Sequence, residues 1–171
     1  AIAKEGLSGN WGANIGSVIL NQQGTADNRR AAAWAAAGSD ARMSGCEMPV
    51  IILSGSGNQG ITASVPVAIY AQAFGASEEE LIKAVTVSDL VTVHQKTGIG
   101  RLSAYCGAIS AGCGAGAGIA YLLGGDAHAI AHTVVNAIAI LSGTICDGAK
   151  PSCAAKIASA VDAGILGYHM Y

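Results

Sequence analysis

Hydrophobic positions recur at helical spacing along almost the whole chain, and polar or glycine-rich breaks cut the pattern into segments. Leu7, Trp11, Ile15, Val18 and Ile19 share one face of a segment running from residue 3 to 21. Gly6, Gly9, Gly12 and Gly16 weaken that helix intrinsically, so tertiary packing must hold it. Residues 29–43 read as an alanine-rich helix, broken by Ser44-Gly-Cys-Glu-Met-Pro49 and followed by the short apolar run Val50-Ile-Ile-Leu53. Residues 61–74 form the next helical segment. Ser77-Glu-Glu-Glu80 is then a helix start, with Ser77 as cap and Glu80 placed to complete a capping box. That helix runs through Leu81, Ile82, Val85 and Leu90 to about Val93, and His94-Gln-Lys-Thr-Gly-Ile-Gly-Arg101 ends it. Residues 102–123 form a glycine- and alanine-rich helix, and Asp126 caps another that carries Val134, Val135, Ile138 and Ile140. A last helix follows Pro151 and reaches about Ile165. No period repeats and no long linker divides the segments. The expectation is an all-α fold, a single compact bundle of about seven Gly/Ala-rich helices spanning residues 1–171.

Composition sharpens this picture. Of 171 residues, 51% are hydrophobic, 12% charged and only 5% aromatic, with 24 glycines. Small side chains let helices approach closely, so the body should be tightly packed with little bulky filling. A net charge of −2 supplies no basic field and argues against nucleic acid as the main partner. No uninterrupted apolar run is long enough for a membrane span; the nearest, Gly107 to Gly125, is rich in glycine and contains Ser110 and Cys113. Five cysteines in a chain of this length favour reduced thiols or metal ligands over a disulfide framework, and hence a cytoplasmic setting. The chain opens on Ala1 rather than Met, and its first residues read as the interior of a longer protein, either a processed subunit or a C-terminal portion.

Candidate chemistry concentrates in two stretches. Gly143-Thr-Ile-Cys-Asp-Gly-Ala-Lys-Pro-Ser-Cys153 packs two cysteines, an acid and a lysine around a turn. Pro151 suits the first turn of a helix, which would set Cys153 beside free backbone N–H groups and the positive dipole end. That environment favours the thiolate, so Cys146 and Cys153 are candidate ligands. Ser54-Gly-Ser-Gly-Asn-Gln-Gly60 would feed a helix N-terminus, where glycines admit a close ligand and Ser and Asn donate hydrogen bonds to an anion such as a carboxylate. It lacks the Gly-Lys-Ser/Thr ending of a P-loop, and an ordinary interhelical turn is the competing reading. Cys106 and Cys113 are seven residues apart and share a helix face. Spacing alone does not select which cysteines converge.

The runs Arg101-Leu-Ser-Ala-Tyr-Cys-Gly-Ala-Ile-Ser-Ala-Gly-Cys113 and Cys146-Asp-Gly-Ala-Lys-Pro-Ser-Cys-Ala-Ala-Lys156, with the loop 54–60 and Pro66, resemble the serine dehydratase α-chain family. Within it they look closest to the serine dehydratase-like branch that includes L-cysteine desulfidases, over its C-terminal portion. The resemblance implies an oxygen-sensitive [4Fe–4S] cluster held by Cys106, Cys146 and Cys153, with Cys113 and Cys46 outside the ligand set. It implies a lyase that removes water or hydrogen sulfide from L-serine or L-cysteine to give pyruvate and ammonia. In that scheme Ser54, Gly57, Asn58 and Gly60 hold the amino acid's carboxylate, while His94 and Lys96 are the candidate bases. The implied partners are the small amino-acid substrate, the missing N-terminal portion of the same protein and further copies of the chain in a homo-oligomer. No pyridoxal-phosphate lysine motif is evident.

Two other classes compete. The chain could be a non-catalytic domain that binds a cluster or amino acid, or that drives oligomerisation. A zinc-dependent hydrolase would instead use His128 and His132, an i, i+4 pair that lacks the glutamate of the zinc-protease motif, together with a cysteine.

Overall fold

The protein is described by a computed structural model covering residues 1–100 and 103–171. Arg101 and Leu102, which the expected turn and helix start include, lie outside the described residues. The fold is all-α, with eight helices among the described residues: α1 (Ile2–Ser8), α2 (Ile15–Gln23), α3 (Asp27–Met43), α4 (Gly57–Phe74), α5 (Glu78–Ile99), α6 (Gly107–Leu122), α7 (Ala127–Ile140) and α8 (Cys153–His169).

The helix beyond the expected seven arises because residues 3–21 do not form one helix. Gly12 and Asn14 take left-handed φ angles of 56° and 53° and break it into α1 and α2. Asp40 of α3 holds that break open. Its carboxylate accepts hydrogen bonds from the backbone N–H of Ile15 at 2.7 Å and Ala13 at 3.4 Å, capping α2 from another helix. Burial raises the Asp40 pKa and these two amide bonds counter the rise. The Ser77–Glu80 capping box forms as the pattern requires, and Asp126 accepts the Ala129 N–H at 2.8 Å.

Two helices occupy the centre. In α3, Ala31, Ala32, Ala33, Ala35, Ala36 and Ala41 are completely buried, so this helix is enclosed on all sides by α1, α2, α4 and α8. In α6, glycines four residues apart form two close-contact faces. A Cβ on Gly112 would stand 2.5 Å from the Ala160 carbonyl oxygen, and one on Gly116 would stand 2.5 Å from the Gly164 carbonyl oxygen. On the other face, a Cβ on Gly114 would stand 2.5 Å from the Ser88 carbonyl oxygen, and one on Gly118 2.7 Å from that of Ala84. Helix α6 therefore packs backbone against backbone on both α8 and α5.

The register of these contacts places the site. Moving one turn along α6, from Gly112 to Gly116, moves one turn along α8 in the same direction, from Ala160 to Gly164. The two helices run parallel, and their N-terminal ends lie at the same end of the bundle. Cys106 caps α6 and Cys153 opens α8.

Replacing Gly116 by Ala forces the α6 and α8 backbones apart and should lower unfolding stability by about 1–3 kcal/mol, the usual cost of overpacking. Gly98, also helical, has open space around a Cβ position, and Gly98→Ala should stabilise by roughly 0.5–1 kcal/mol. Urea denaturation of the two variants beside the parent checks both signs.

Candidate functional site

Three helices begin at one cavity. It is lined by Ser54, Ser56, Asn58 and Gln59 at the start of α4, by Cys106, Gly107 and Ala108 at the start of α6, and by Cys146, Gly148 and Cys153 on the approach to α8. Lys96 of α5 lines it as well. No side-chain cap satisfies the first turn of α4, α6 or α8, so their positive dipole ends face the cavity uncompensated.

Each wall has a local cause. Leu53 and Ser56 exchange backbone hydrogen bonds of 3.2 and 3.1 Å across Ser54 and Gly55, whose φ angles are 49° and 92°. Positive φ at both central residues defines the tight two-residue hairpin turn that delivers the chain into α4. Opposite it, Tyr105 and Ile145 form an antiparallel bridge, with Cys146 N–H donating to Ala104 C=O at 2.7 Å and Cys106 N–H to Thr144 C=O at 3.4 Å. This clamp brings two cysteines forty residues apart in the chain to within one residue of the same bridge. Gly148, at φ 98°, turns the chain so that its carbonyl accepts a weak bond from the Cys153 thiol at 3.7 Å.

The thiols differ in character. Burial raises the Cys106 pKa, as does the neighbouring Cys146, while the backbone N–H groups of Ala108 and Ile109 and the Lys156 ammonium favour its thiolate. Cys146 is exposed and Cys153 half-buried. Cys113 lies wholly inside the bundle, where burial pushes its thiol up to about 12. Beside the cysteines, Asp147 pairs with Lys150 at 2.9 Å and with Lys156, which hold its carboxyl well below the usual carboxylate range. These pairs are solvent-exposed and shape the loop more than they stabilise the fold.

Of the candidate residues, the cavity gathers Cys106, Cys146, Cys153, Ser54, Asn58 and Lys96. Helix α5 extends beyond Val93 to Ile99, so His94 and Lys96 lie on the helix rather than in a turn. Two residues apart, they face different ways: His94 is exposed, whereas Lys96 is 7% exposed and donates to the Gly100 carbonyl at 3.0 Å. Gly57 opens α4 with its Cα against Arg42, and Gly60 does not line the cavity. The Gly60 N–H is already donated to the Ser56 carbonyl at 3.2 Å, and its missing side chain makes room for the Ile51 carbonyl. Gly60 is therefore a packing glycine outside the cavity lining. Pro151 lies in the turn before α8 rather than in its first turn, and Cys106 caps α6 rather than sitting within it.

His128 and His132 lie with ring centroids 4.4 Å apart and their planes tilted by 55°, and both pack on Tyr171, whose hydroxyl lies 3.1 Å from His128 Nδ1. Neither lines the cysteine cavity, and no group of three His, Cys, Asp or Glu side chains that could hold one metal ion occurs among the described residues. The zinc-hydrolase arrangement is thus not assembled here. Gln59 escaped the sequence reading although it stands inside the loop 54–60; its proximity to Gly107 is a tertiary fact.

Cysteine alkylation should follow this order in the metal-free, reduced protein: Cys146 first, and Cys113 only on unfolding. Mass-spectrometric mapping after timed iodoacetamide treatment checks it; early labelling of Cys113 would contradict its enclosure.

A family model described as serine dehydratase alpha chain matches residues 1–171. The chain is 67% identical to a UPF0597 protein of Desulfitobacterium hafniense over 171 residues, covering all of this chain and 40% of that protein. It is 56% identical over 165 residues to a UPF0597 protein of Lachnoclostridium phytofermentans, covering 96% and 40%. It is 49% identical over 174 residues to one of Treponema denticola, covering 99% and 40%. The chain thus spans about 40% of the length of these relatives. No solved structure matches it. No helix among the described residues is long and apolar enough to cross a membrane.

Proposed function

The chain belongs to the serine dehydratase α-chain family, and from that premise we propose that its cysteine cavity is the site of an iron–sulfur-dependent lyase acting on L-cysteine or L-serine. The observation that carries the reading is the cavity itself, which sets Cys106, Cys146 and Cys153 beside Ser54, Asn58 and Lys96 under three helix N-termini. The donor set suits a [4Fe–4S] cluster. Three thiolates would each take a different iron, so their sulfurs need not close on a single point as the ligands of one ion must. Burial raises the Cys106 pKa, and main-chain N–H groups and the Lys156 ammonium offset part of that rise toward the deprotonated sulfur that a cluster requires.

When bound, such a cluster supplies an iron with an open position, a Lewis acid for the departing hydroxyl or thiol. The chain's own groups do the rest. The free N–H groups of the first turn of α4 hold the carboxylate of the substrate. Asn58 keeps its amide N–H groups for the same task, because Arg42 already occupies its Oδ1 at 3.2 Å. The Ser54 hydroxyl adds a donor from the hairpin turn. Lys96, buried at the cavity wall, is the group placed to take the Cα proton. Loss of that proton from Cα and of hydroxide or hydrosulfide from Cβ, which together make up one water or hydrogen sulfide, leaves an aminoacrylate, whose imine tautomer hydrolyses to pyruvate and ammonia.

Anaerobic reconstitution with iron and sulfide, followed by absorption and EPR, tests the ligand set. The signal should vanish in Cys146→Ala and persist in Cys113→Ala. Pyruvate release from L-cysteine and L-serine should then fall by at least about a hundredfold in Lys96→Gln with the cluster signal intact, and persist in His94→Gln. A stable cluster signal without pyruvate release would instead favour a binding domain.

A further inference from the structure

Gln59 occupies the first turn of α4, is 6% exposed and lines the cysteine cavity. Its side-chain oxygen, Oε1, is buried and has no hydrogen-bond partner among the described residues. The amide lies across Gly107, the residue after Cys106: a Cβ there would stand 2.6 Å from Nε2 and 2.8 Å from Cδ. Glycine at 107 is what leaves room for the Gln59 amide at the mouth of α6. A buried acceptor without a donor is costly, so its persistence points to a partner that arrives with a ligand.

The surroundings say which ligand group that is. The helix starts of α4, α6 and α8 present positive dipole ends and first-turn N–H groups without side-chain caps. These groups match a carboxylate and thiolates, and none of them can accept a hydrogen bond from a cation. An amino acid carries one anion and one cation, so it needs an acceptor as well as donors. Hydroxyl groups of Ser54, Ser56 and Ser103 line the same cavity, and the Gln59 carbonyl is the buried side-chain acceptor there that has no hydrogen-bond partner among the described residues. We propose that Gln59 Oε1 accepts a hydrogen bond from the α-ammonium of the substrate, selecting amino acids over analogues that lack the amine. The assignment rests on the amino-acid lyase reading of the cavity and gives that reading its specificity determinant.

The test compares two ligand pairs on the anaerobically reconstituted chain by titration calorimetry: L-serine against 3-hydroxypropionate, and L-cysteine against 3-mercaptopropionate. Each pair keeps the carboxylate and the leaving group and differs at the amine. Gln59→Met should weaken the amino acids by about ten- to a hundredfold, the loss of one hydrogen bond to a charged donor, and leave the amine-free analogues unchanged. Gln59→Glu, which retains an acceptor, should keep the preference for the amino acid. Circular dichroism and the cluster spectrum should be the same in all three proteins. An unchanged amino-acid-to-analogue ratio in a folded Gln59→Met protein overturns the assignment and leaves Oε1 to a structural water, with the lyase reading intact. A parent protein that binds no amino acid at all overturns both.

Discussion

Backbone contact between α6 and α8 is the constraint on which the site depends. Gly112 and Gly116 bring the two helices together with no side chain between them, against Ala160 and Gly164. Because the helices run parallel, this contact aligns their N-termini, and the cysteines at those termini line one cavity. The opposite glycine face of α6 performs the same task toward α5, which delivers Lys96 to the cavity wall. A larger residue at any of these positions acts on the site through helix spacing, without touching a ligand.

Electrostatics follow from that geometry. Parallel helices that start together pool their positive ends, and the cavity they frame lacks side-chain caps on all three. Burial acts against ionisation at Cys106, while local amides act for it. The net effect at Cys106 is a raised pKa, so any ligand that needs its thiolate would bind more readily as pH rises. Cys113, one helix step further in, has the burial without the polar surroundings and stays inert.

How much of this the sequence disclosed depended on range. The capping box at Ser77 and Glu80 and the cap at Asp126 are local and were legible in full. The cysteine motifs and the loop 54–60 carried a family resemblance that the family match bears out, and the fold brings those two stretches to one cavity. The division of α1 from α2 was not legible, because its cap is Asp40, twenty-five residues beyond Ile15 in the chain. That Lys96 is buried against the cavity while His94 is exposed was not legible, because it depends on α5 continuing to Ile99 and on which of its faces is covered. Gly60 read as a ligand-binding glycine because a loop motif does not reveal that the Ile51 carbonyl fills the space beside it.

The alanine helix at the centre has a thermodynamic consequence. Residues 31–33 and 35–41 of α3 are enclosed, yet each Ala side chain is a single methyl, so this helix hides less hydrocarbon per residue than one built of leucine or phenylalanine. The heat-capacity increment on unfolding scales with the hydrocarbon uncovered and averages about 12–15 cal/mol/K per residue in ordinary domains. An alanine-built helix contributes less than that average per residue, so the enclosure of α3 should add little to the curvature of the stability curve.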